Sequence, residues 1–320
     1  MFSTRDKILL AFEQAPRRAV SGADLAHRLG MTRASIWKHV KALRAEGFPI
    51  KTHQATGYAM TEPFDFSLLK GELVRGSRFW NAHYQFSTAS TQTLAKNAAQ
   101  QGAPEGHYWI VEKQTAGRGR LDRVWDSNLG GIWLSLLLRP AIPPMRVPAL
   151  TLIAALCLAE AIRSKLHRPV KLKWPNDVVV ETVGGWRKIA GILTEISAEI
   201  DRAKWVILGI GVNVNNPLPE TLEKQATSLR KLSKRTYSRA ELVKEFLERF
   251  AGAYRRFEKA GFDGFRQSYW HAYSRPNQAV ELKTSQGLIK GIARGVDAQG
   301  ALLVESKHKT FPVWEGEIVL

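Results

Sequence analysis

Four short segments of the chain combine glycines, cations and small polar side chains in a way that suits a small anionic ligand. They are QTAGRGR at 114–120, KWPND at 173–177, RKIAGIL at 187–193 and GIGVN at 209–213. Each lies at the end of an apolar run that predicts a strand. Glycine lets a backbone approach a ligand closely, and guanidinium groups bind carboxylates and phosphates in a bidentate manner. The four segments therefore predict one site for a small anion.

The most informative of these segments is the loop that contains Gly117, Arg118, Gly119 and Arg120. It is not a Walker A loop, because it lacks that spacing and the Lys-Ser/Thr ending. Taken alone, its arginines could be ordinary solvated surface residues. Lys188 could likewise be a solvent-facing strand lysine, but the adjacent Ala-Gly pair permits close backbone approach and favours a ligand contact.

Two further segments offer polar groups. Ser90, Thr91 and Gln92 begin a predicted helix, where hydroxyls and free backbone N–H groups suit the polar end of a ligand. The alternative is that these residues only cap the helix. The segment from Lys173 to Asp177 places a cation beside an amide and a carboxylate across a proline turn.

Strands and helices alternate from residue 66 to residue 274, which predicts a central α/β or α+β domain. A capping box at Ser238 and Glu241 opens a helix that continues to about Lys259. The other predicted elements are strands at 84–86, 109–112, 132–138, 170–174, 188–196 and 205–214 and a long helix at 147–166.

Residues 1–62 predict a winged helix-turn-helix module. Three short helices are expected at about 4–13, 21–29 and 32–44, with glycine in the turn between the last two, and residues 50–60 resemble a β-wing. Residues 1–60 carry ten Lys/Arg and four Asp/Glu, a net charge of +6 out of +18 for the whole chain. A basic module of this type favours DNA as the partner, although such modules also serve in dimerisation.

The outward face of the third helix carries the candidate DNA contacts. Arg33, Ser35 and Trp37 are placed to meet base edges, whereas Lys38 and Lys41 are expected to contact phosphates, as is Arg44.

Residues 275–320 predict a small SH3-like β-barrel, because four short strands recur at intervals of about ten residues, separated by Ser-Gln-Gly, Asp-Ala-Gln-Gly and Lys-His-Lys turns. The strands are expected at 279–283, 288–296, 301–305 and 310–314. A purely structural cap is an alternative to a part in ligand binding.

Composition excludes several classes of protein. A content of 44% hydrophobic and 24% charged residues is typical of a globular protein. The single cysteine, Cys157, rules out disulfides and cysteine metal sites and is expected to be buried. No apolar run reaches the length of a membrane span, and the charged N-terminus does not resemble a signal peptide. We therefore expect a cytoplasmic protein without membrane association.

The order and spacing of the four segments resemble the catalytic core of the biotin protein ligases. Residues 33–44 (RASIWKHVKALR) resemble the recognition helix of the biotin-operon repressors, and residues 314–317 (WEGE) resemble the end of ligase C-terminal domains. The resemblance covers nearly the whole chain and implies a three-domain α/β (α+β) protein whose central catalytic domain is built on a mixed sheet. It implies a bifunctional enzyme that forms biotinyl-5′-adenylate from biotin and Mg-ATP, passes biotin to a carrier lysine, and represses transcription in response to biotin.

The same resemblance implies a role for each site residue. Lys188, Arg118, Arg120 and Asp177 would be catalytic, with Lys188 bridging the biotin carboxylate and the α-phosphate. Biotin would also contact Ser90, Thr91, Gln92, Gln114, Gly119, Gly191, Leu193, Gly209, Gly211 and Val212. The nucleotide would contact Gly117, Arg118, Arg120, Trp125, Lys173, Asn176, Lys188 and Asn213. The metal ligands are not identified by the sequence.

The chain departs from the family pattern at three places. Trp37 stands where the resemblance implies a small polar residue, which predicts a different operator sequence. Gln92 stands where the family has Asn, and Leu121 and Asp122 replace residues of which the second is usually glycine. The implied partners are the biotin carboxyl carrier protein of acetyl-CoA carboxylase, operator DNA and a second copy of the chain after adenylate binding. A lipoate-type ligase or transferase and a non-catalytic biotin sensor remain the alternatives.

Overall fold

The computed structural model describes residues 4–15, 18–45, 48–61, 79 and 81–319. The N-terminal module contains helices α1 (Thr4–Gln14), α2 (Gly22–Leu29) and α3 (Arg33–Ala45) and strands β1 (Ile50–His53) and β2 (Gly57–Met60). The Ser21 hydroxyl accepts hydrogen bonds from the backbone N–H groups of Ala23 and Asp24, which caps α2. The prediction of a winged helix-turn-helix is confirmed.

The wing is held against the helices by one close backbone contact. Val20 and Tyr58 form an antiparallel bridge beside Gly57, which has a φ of +110°. A Cβ atom at Gly57 would lie 2.2 Å from the carbonyl oxygen of Val20. Only glycine fits this position, so the wing turn depends on it.

The N-terminal module shares a continuous hydrophobic core with the central domain. The ring of Phe48 packs against Tyr84 at 6.2 Å and against Phe86 at 5.0 Å between centroids. The guanidinium of Arg5 lies 5.6 Å from the Phe48 ring on the other side. The two modules are therefore packed together through aromatic contacts rather than joined by a linker alone. The predicted domain boundary at 63–65 lies outside the described residues.

The central domain is built on a mixed sheet that has seven strands in the described residues, in the order β3-β4-β5-β9-β8-β7-β6. Only the β3–β4 pair is parallel. The strands are β3 (Asn81–Thr88), β4 (His107–Gln114), β5 (Ile132–Leu138), β6 (Val170–Lys173), β7 (Asp177–Thr182), β8 (Gly185–Ala198) and β9 (Ala203–Val212). The mixed sheet agrees with the sequence prediction.

Helices cover the sheet and complete the core. The described helices of this domain are α4 (Thr91–Gln100), α5 (Val147–Arg163), α6 (Leu229–Ser233), α7 (Arg239–Ala260) and α8 (Asp263–Ala272). As the capping box predicts, the Ser238 hydroxyl accepts from the backbone N–H of Glu241 at the start of α7. Helix α5 ends three residues earlier than predicted, and strand β7 and helix α8 were not assigned from the sequence at all.

Helix α5 is apolar on every side because it lies at the centre of the fold. Fourteen of its seventeen residues are buried. Cys157 is one of them, and burial raises the pKa of its thiol to about 12. The segment Pro144–Arg163 is long and apolar enough to cross a membrane, but 78% of its apolar window is buried inside the protein. Burial on all faces is expected of a core helix in a globular protein.

The C-terminal module is a five-stranded antiparallel sheet in the order β13-β12-β11-β10-β14, which agrees with the predicted small barrel. Its strands are β10 (Ala279–Thr284), β11 (Gly287–Val296), β12 (Leu302–Ser306), β13 (Lys309–Val313) and β14 (Glu317–Ile318). The short last strand pairs with β10, and Glu317 on it contacts Arg123 of the central domain.

A buried polar cluster ties α7 to the central sheet. Nη1 of Arg239 lies 2.5 Å from a carboxylate oxygen of Glu112, and the Tyr84 hydroxyl donates to the other oxygen at 3.0 Å. Both charged side chains are almost fully buried, at 5% and 0% exposure. Burial and the adjacent Glu112 carboxylate raise the pKa of Tyr84, so its hydroxyl remains a donor.

Removal of one partner of this cluster should destabilise the protein strongly. We expect Arg239→Met to lower the free energy of unfolding by about 3–5 kcal/mol, because it leaves the Glu112 charge buried without its cation. Urea denaturation followed by circular dichroism would measure the loss. Lys244→Met, an exposed position on the same helix, is the matched control and should cost less than about 1 kcal/mol. Equal losses in the two variants would contradict the energetic importance of the cluster.

Candidate active site

A cleft of about 950 Å³ opens on one face of the central sheet, between the sheet and the C-terminal module. The structure brings most of the sequence-predicted site residues to this cleft. The lining includes Ser90, Thr91, Gln92, Gln114, Arg118, Gly119, Arg120, Trp125, Lys173, Asn176, Asp177, Lys188, Gly191, Leu193, Gly209, Gly211 and Asn213.

Two predicted residues do not line the cleft. Val212 is fully buried in the hydrophobic core, because successive residues of β9 face opposite sides of the sheet and Gly209 and Gly211 lie on the cleft side. The expectation that the Val212 side chain lines the ligand slot is therefore wrong. Gly117 lies at the base of the arginine loop, where its carbonyl accepts from the Trp125 N–H, and a Cβ there would lie 2.4 Å from the Trp125 carbonyl.

One end of the cleft is polar. The Gln114 side-chain carbonyl accepts from the backbone N–H of Thr91 at 2.8 Å and faces the Thr91 hydroxyl at 3.1 Å. The Ser135 hydroxyl lies 2.8 Å from the Thr91 hydroxyl and 2.9 Å from the Gln92 carbonyl oxygen. The Thr91 and Ser135 hydroxyls have one proton each, so they can donate in only two of these three oxygen–oxygen contacts. The cluster has an acceptor in excess, which suits a ligand that supplies N–H donors.

Gln92 is fastened to the sheet rather than left free. Its amide nitrogen donates to the carbonyl of Leu193 at 3.2 Å, and the side chain is buried. Its carbonyl oxygen would lie 2.6 Å from a Cβ atom at Gly209. The longer side chain at this position therefore requires glycine on the facing strand.

The floor of the cleft is a strip of glycine backbone against which the Trp125 ring packs. Gly191 pairs with Gly211 in the β8–β9 register. A Cβ atom at Gly211 would lie 2.6 Å from the Trp125 ring, and one at Gly191 would lie 3.1 Å from it. The indole N–H is buried without a hydrogen-bond partner. The floor can therefore hold a flat ring against the backbone.

A β-bulge turns Lys188 towards this floor. Val178 pairs with Ala190 and Val179 pairs with Lys188, so Ile189 is an extra residue in β8. At a bulge the alternation of side chains between the two faces of the sheet shifts by one residue. Lys188 therefore shares the cleft face with Gly191, whereas regular alternation would point it into the core. Its Nζ atom lies 2.7 Å from Asp177 and 4.8 Å from the Trp125 ring centroid.

The arginine loop folds as a short hairpin in which Arg118 bridges Val124. Its tip contains two consecutive non-glycine residues with positive φ, Leu121 at 56° and Asp122 at 55°. Asparagine, aspartate and glycine tolerate this conformation, but leucine does so at a cost of about 1–2 kcal/mol. Asp122 therefore stands in for the usual glycine with the hairpin still formed, and the strain lies at Leu121.

Contacts from outside the loop hold the hairpin in place. Arg120 donates to the side-chain oxygen of Asn176 at 3.3 Å and to the carbonyl of Gly316 at 3.4 Å. Arg123 forms a bidentate pair with Glu317, with both N–O distances at 2.6 Å. The C-terminal module therefore contributes directly to the shape of the cleft.

The Arg123–Glu317 pair depends on pH. The hydrogen bonds from Arg123 lower the pKa of the Glu317 carboxyl. A carboxyl whose pKa is lowered in the folded state stabilises the structure above its usual pKa. The contribution of the pair is therefore present at neutral pH and is lost as the pH falls through that lowered value.

The sequence did not identify several residues that the structure places at the cleft. Arg123, Asp126, Ser135 and Glu317 all line it. Ser135 had a detectable signal, since it interrupts the apolar run Ile132–Leu138, and its side chain is fully buried. Glu317 belongs to the WEGE segment, but its place at the cleft had no local signal, because its partner Arg123 is 194 positions away.

The candidate DNA contacts lie on α3. Arg33, Trp37, Lys38 and Lys41 are exposed, and the Lys41 ammonium lies 5.2 Å from the Trp37 ring. Ser35 is half-buried, and its backbone N–H donates to the Thr32 hydroxyl.

Arg44 does not extend freely towards a DNA backbone. Its guanidinium donates to the carbonyl of Ile50 at 2.8 Å and to the Thr52 hydroxyl at 2.6 Å, which fastens the wing to α3. Its expected phosphate contact would have to compete with these two bonds.

Three family models match the chain. The helix-turn-helix domain model matches residues 4–59, the biotin/lipoate A/B protein ligase family model matches residues 84–213, and the biotin protein ligase C-terminal domain model matches residues 277–320. The chain is 35% identical over 325 aligned residues to the bifunctional ligase/repressor BirA of Bacillus spizizenii, with 99% of this chain and 98% of the relative covered.

The chain belongs to the biotin protein ligase family. It is also 31% identical to the bifunctional ligase/repressor BirA of Escherichia coli K12, over 94% of this chain and 92% of the relative. The solved biotin protein ligase from Aquifex aeolicus in complex with biotin and ATP is similar to it, with a TM-score of 0.65 and 28% identity, over 75% of this chain and 98% of that one. Family membership and the fold of the cleft therefore agree.

Loss of the Arg123–Glu317 pair should release the arginine hairpin. We expect Glu317→Gln to speed tryptic cleavage after Arg118, Arg120 or Arg123 by roughly two- to fivefold. The closed hairpin loses the free energy of one surface ion pair, so the cleavable open state is more populated. Peptide mass spectrometry during limited proteolysis at neutral pH would measure the rate. Glu305→Gln, which removes a pair with Arg294 elsewhere in the same module, is the control. Faster cleavage in both variants would instead indicate general loosening of the module.

Proposed function

We propose that the protein activates biotin with ATP, transfers it to one lysine of a biotin carboxyl carrier protein of acetyl-CoA carboxylase, and represses an operator in response to biotin. The observation that carries the ligase activity is the convergence of four separate motifs on one cleft, with Lys188 turned to its floor by a bulge. Membership of a family whose relatives are bifunctional ligase/repressors supports the combination.

Biotin fits the two ends of the cleft. Its ureido group provides two N–H donors, which suit the acceptor-rich cluster of Thr91, Gln114 and Ser135. Its fused rings and valeryl chain suit the glycine strip. The dithiolane of lipoate has no N–H donor and would leave the polar cluster unsatisfied, at a cost typical of buried unpaired groups. The polar cluster therefore favours biotin over lipoate.

In the first reaction a carboxylate oxygen of biotin bonds to the α-phosphorus of ATP. The bond from that phosphorus to the bridging oxygen breaks, and its electron pair leaves with pyrophosphate. No proton has to move, so positioning and charge neutralisation carry the catalysis. Lys188 would bridge the carboxylate and the α-phosphate, with Arg118 and Arg120 supplying further positive charge. Trp125 offers a flat surface for adenine, and Asn176 and Asn213 lie on the nucleotide side.

In the second reaction the carrier lysine attacks the carbonyl carbon of the mixed anhydride. A C–N bond forms, the C–O bond breaks, and AMP leaves with the electron pair. The attacking amine must lose a proton, and Asp177 is a carboxylate within the cleft that can accept it. Asp177 is paired with Lys188 at 2.7 Å. Engagement of Lys188 by the adenylate phosphate would free Asp177 for the incoming amine.

Magnesium would accompany the nucleotide. Among the described residues no group of three or more His, Cys, Asp or Glu side chains could hold a metal ion. This fits Mg²⁺, which usually binds through substrate phosphates, water and one or two carboxylates. Asp126 lines the cleft with one buried carboxylate oxygen that has no hydrogen-bond partner, so it is the residue that would hold the ion. When bound, the ion would neutralise phosphate charge.

The regulatory half of the proposal rests on α3 and on dimerisation. Lys38 and Lys41 would contact phosphates, while Arg33, Ser35 and Trp37 would lie at the base edges. Because operators are often two-fold symmetric, a homodimer formed after adenylate binding would read two half-sites. The substrates and the DNA target place the protein in the cytoplasm.

Lys188→Ala should abolish adenylate formation while leaving the fold intact. We expect at least about a hundredfold loss of biotin-dependent pyrophosphate release, because the variant removes a charge-assisted contact to both reacting groups. Mass spectrometry of a biotin carrier domain after incubation with protein, biotin and Mg-ATP would show one added biotinyl group only with the wild type. Lys204→Ala, an exposed lysine on the neighbouring strand β9, is the control.

Two outcomes would contradict the ligase assignment. Normal pyrophosphate release by Lys188→Ala would show that another group stabilises the reacting phosphate. A wild-type protein that modifies the carrier domain with lipoate but not with biotin would show that the polar end of the cleft selects the other acyl group.

DNA binding should depend on the outward lysines of α3. For Lys38→Ala/Lys41→Ala we expect weaker operator binding and a log–log salt slope shallower by about two, because each lost phosphate contact reduces counterion release by about one. Fluorescence anisotropy across a salt series would measure both. Lys96→Ala, on α4 in the central domain, should leave the slope unchanged.

Sedimentation velocity of the same samples tests the dimer. Biotin with ATP should shift the protein from monomer towards dimer and tighten operator binding. An unchanged mass with both ligands, or a salt slope that is unaltered in the double variant, would contradict the regulatory proposal.

A further inference from the structure

A half-exposed tryptophan stands in the middle of the outward face of α3. Trp37 is 52% exposed, and Arg33, Ala34 and Lys41, which lie one turn before and after it, are exposed as well. The opposite face of the helix is buried in the core. An indole combines a large apolar ring with one polar group, which suits a surface that contacts a partner. The outward face therefore has an apolar centre between cations.

The indole ring is ordered by the side chain one turn further along the helix. The Lys41 ammonium lies 5.2 Å from the centroid of the Trp37 ring, which is a cation–π distance. Side chains on a helix point back towards its N-terminus, so the Trp37 ring extends towards the turn that carries Arg33 and Ala34. The ring therefore belongs to the N-terminal half of α3, the half that a helix-turn-helix places against base edges.

The helix that carries the indole is held at both ends. At its start, the Ser35 hydroxyl accepts a hydrogen bond from the Thr32 hydroxyl at 3.2 Å. At its end, the Arg44 guanidinium is fastened to the wing. Because these polar side chains have partners within the module, Trp37 is presented on a surface that is already arranged before DNA binds.

The chemistry of an indole limits which bases it can recognise. Trp37 offers one N–H donor and an apolar ring but no acceptor. The amino groups that adenine and cytosine present in the major groove would lose water against this ring without gaining an acceptor. The C5-methyl group of thymine is the apolar group that the major groove offers, and its burial against the ring is favourable. Thymine therefore fits Trp37 better than the other bases.

We propose that Trp37 recognises one thymine in each operator half-site, by packing its ring against the C5-methyl group in the major groove, and that Lys41 holds the ring in this position. The inference rests on the proposed DNA-binding function and assigns to one side chain of α3 a choice of base. Lys38, beside Trp37 on the exposed surface, gives affinity without such a choice, because a phosphate contact carries no sequence information.

Replacement of thymine by uracil tests the contact, because it removes only the C5-methyl group. Duplexes selected by the wild-type protein from a random-sequence pool, with biotin and Mg-ATP present, supply the site. Each thymine of a selected duplex is then replaced in turn by uracil, and fluorescence anisotropy gives the dissociation constants. For the wild type we expect one position in each half-site at which uracil weakens binding by roughly three- to tenfold, because an apolar contact is lost.

Variants of α3 show which side chain makes the contact. In Trp37→Ala the same uracil should change binding by less than about twofold, because an interaction that is already absent cannot be lost again. Trp37→Phe keeps an apolar ring and should keep most of the uracil penalty. Lys38→Ala is the matched control, and it should weaken binding to every sequence while keeping the full penalty. All measurements use a salt concentration at which every variant binds, and circular dichroism verifies the fold of each.

Three results would overturn the inference. One is a selected site at which no uracil weakens binding by the wild type. Another is a uracil penalty that persists in Trp37→Ala, which would assign the methyl contact to a different residue. The third is loss of the ligand-promoted dimer by Trp37→Ala in the absence of DNA, which would assign the indole to a protein–protein contact. A random pool that yields no enriched sequence would instead contradict the proposed repressor function itself, and with it any choice of base by Trp37.

Discussion

The cleft depends on one irregularity in the β8 strand. If β8 alternated regularly instead of bulging at Ile189, the side chain of Lys188 would point into the hydrophobic core, where an ammonium group could not be held at an acceptable free energy. With the bulge, the same strand buries Ile189 and Ala190 on one face and presents Lys188 and Gly191 on the other. The positions of Asp177 and Trp125 follow, because both pack against that lysine.

The glycine strip and the polar cluster constrain each other across the cleft. Gly209 must lack a side chain because the buried Gln92 lies against it, and Gln92 is held there by the carbonyl of Leu193. Gly211 must lack one because the Trp125 ring lies on it. A substitution on the floor would therefore act through the side chain above it as well as on the ligand.

Side-chain contacts connect the three modules at two places. The C-terminal module fastens the arginine hairpin through Glu317 and Gly316, and the N-terminal module packs through Phe48 onto the β3 aromatics. Tyr84 at the second of these places donates to Glu112 on β4, the strand whose end carries Gln114. The DNA-reading module and the polar end of the cleft are thus attached to the same pair of strands.

Local sequence determined most of the helices and strands and the identity of the chemical groups. Capping residues such as Ser21 and Ser238 act on backbone groups a few positions away. Glycine-rich motifs mark backbone that faces a ligand. An apolar run such as α5 indicates burial from its own composition, whatever packs around it. These features depend on interactions between residues close in the chain, so the pattern is visible in one sequence. Even so, the β-branched run of β7 was not assigned as a strand from the sequence.

Only the tertiary structure decided which side chains share a face and which distant residues meet. The facing of Lys188 depends on a bulge, the exclusion of Val212 depends on strand register, and the Arg123–Glu317 contact joins residues 194 positions apart. The presence of Lys283 at the cleft depends on the docking of a separate module. Register and docking are set by packing across the whole fold, and no local pattern encodes them.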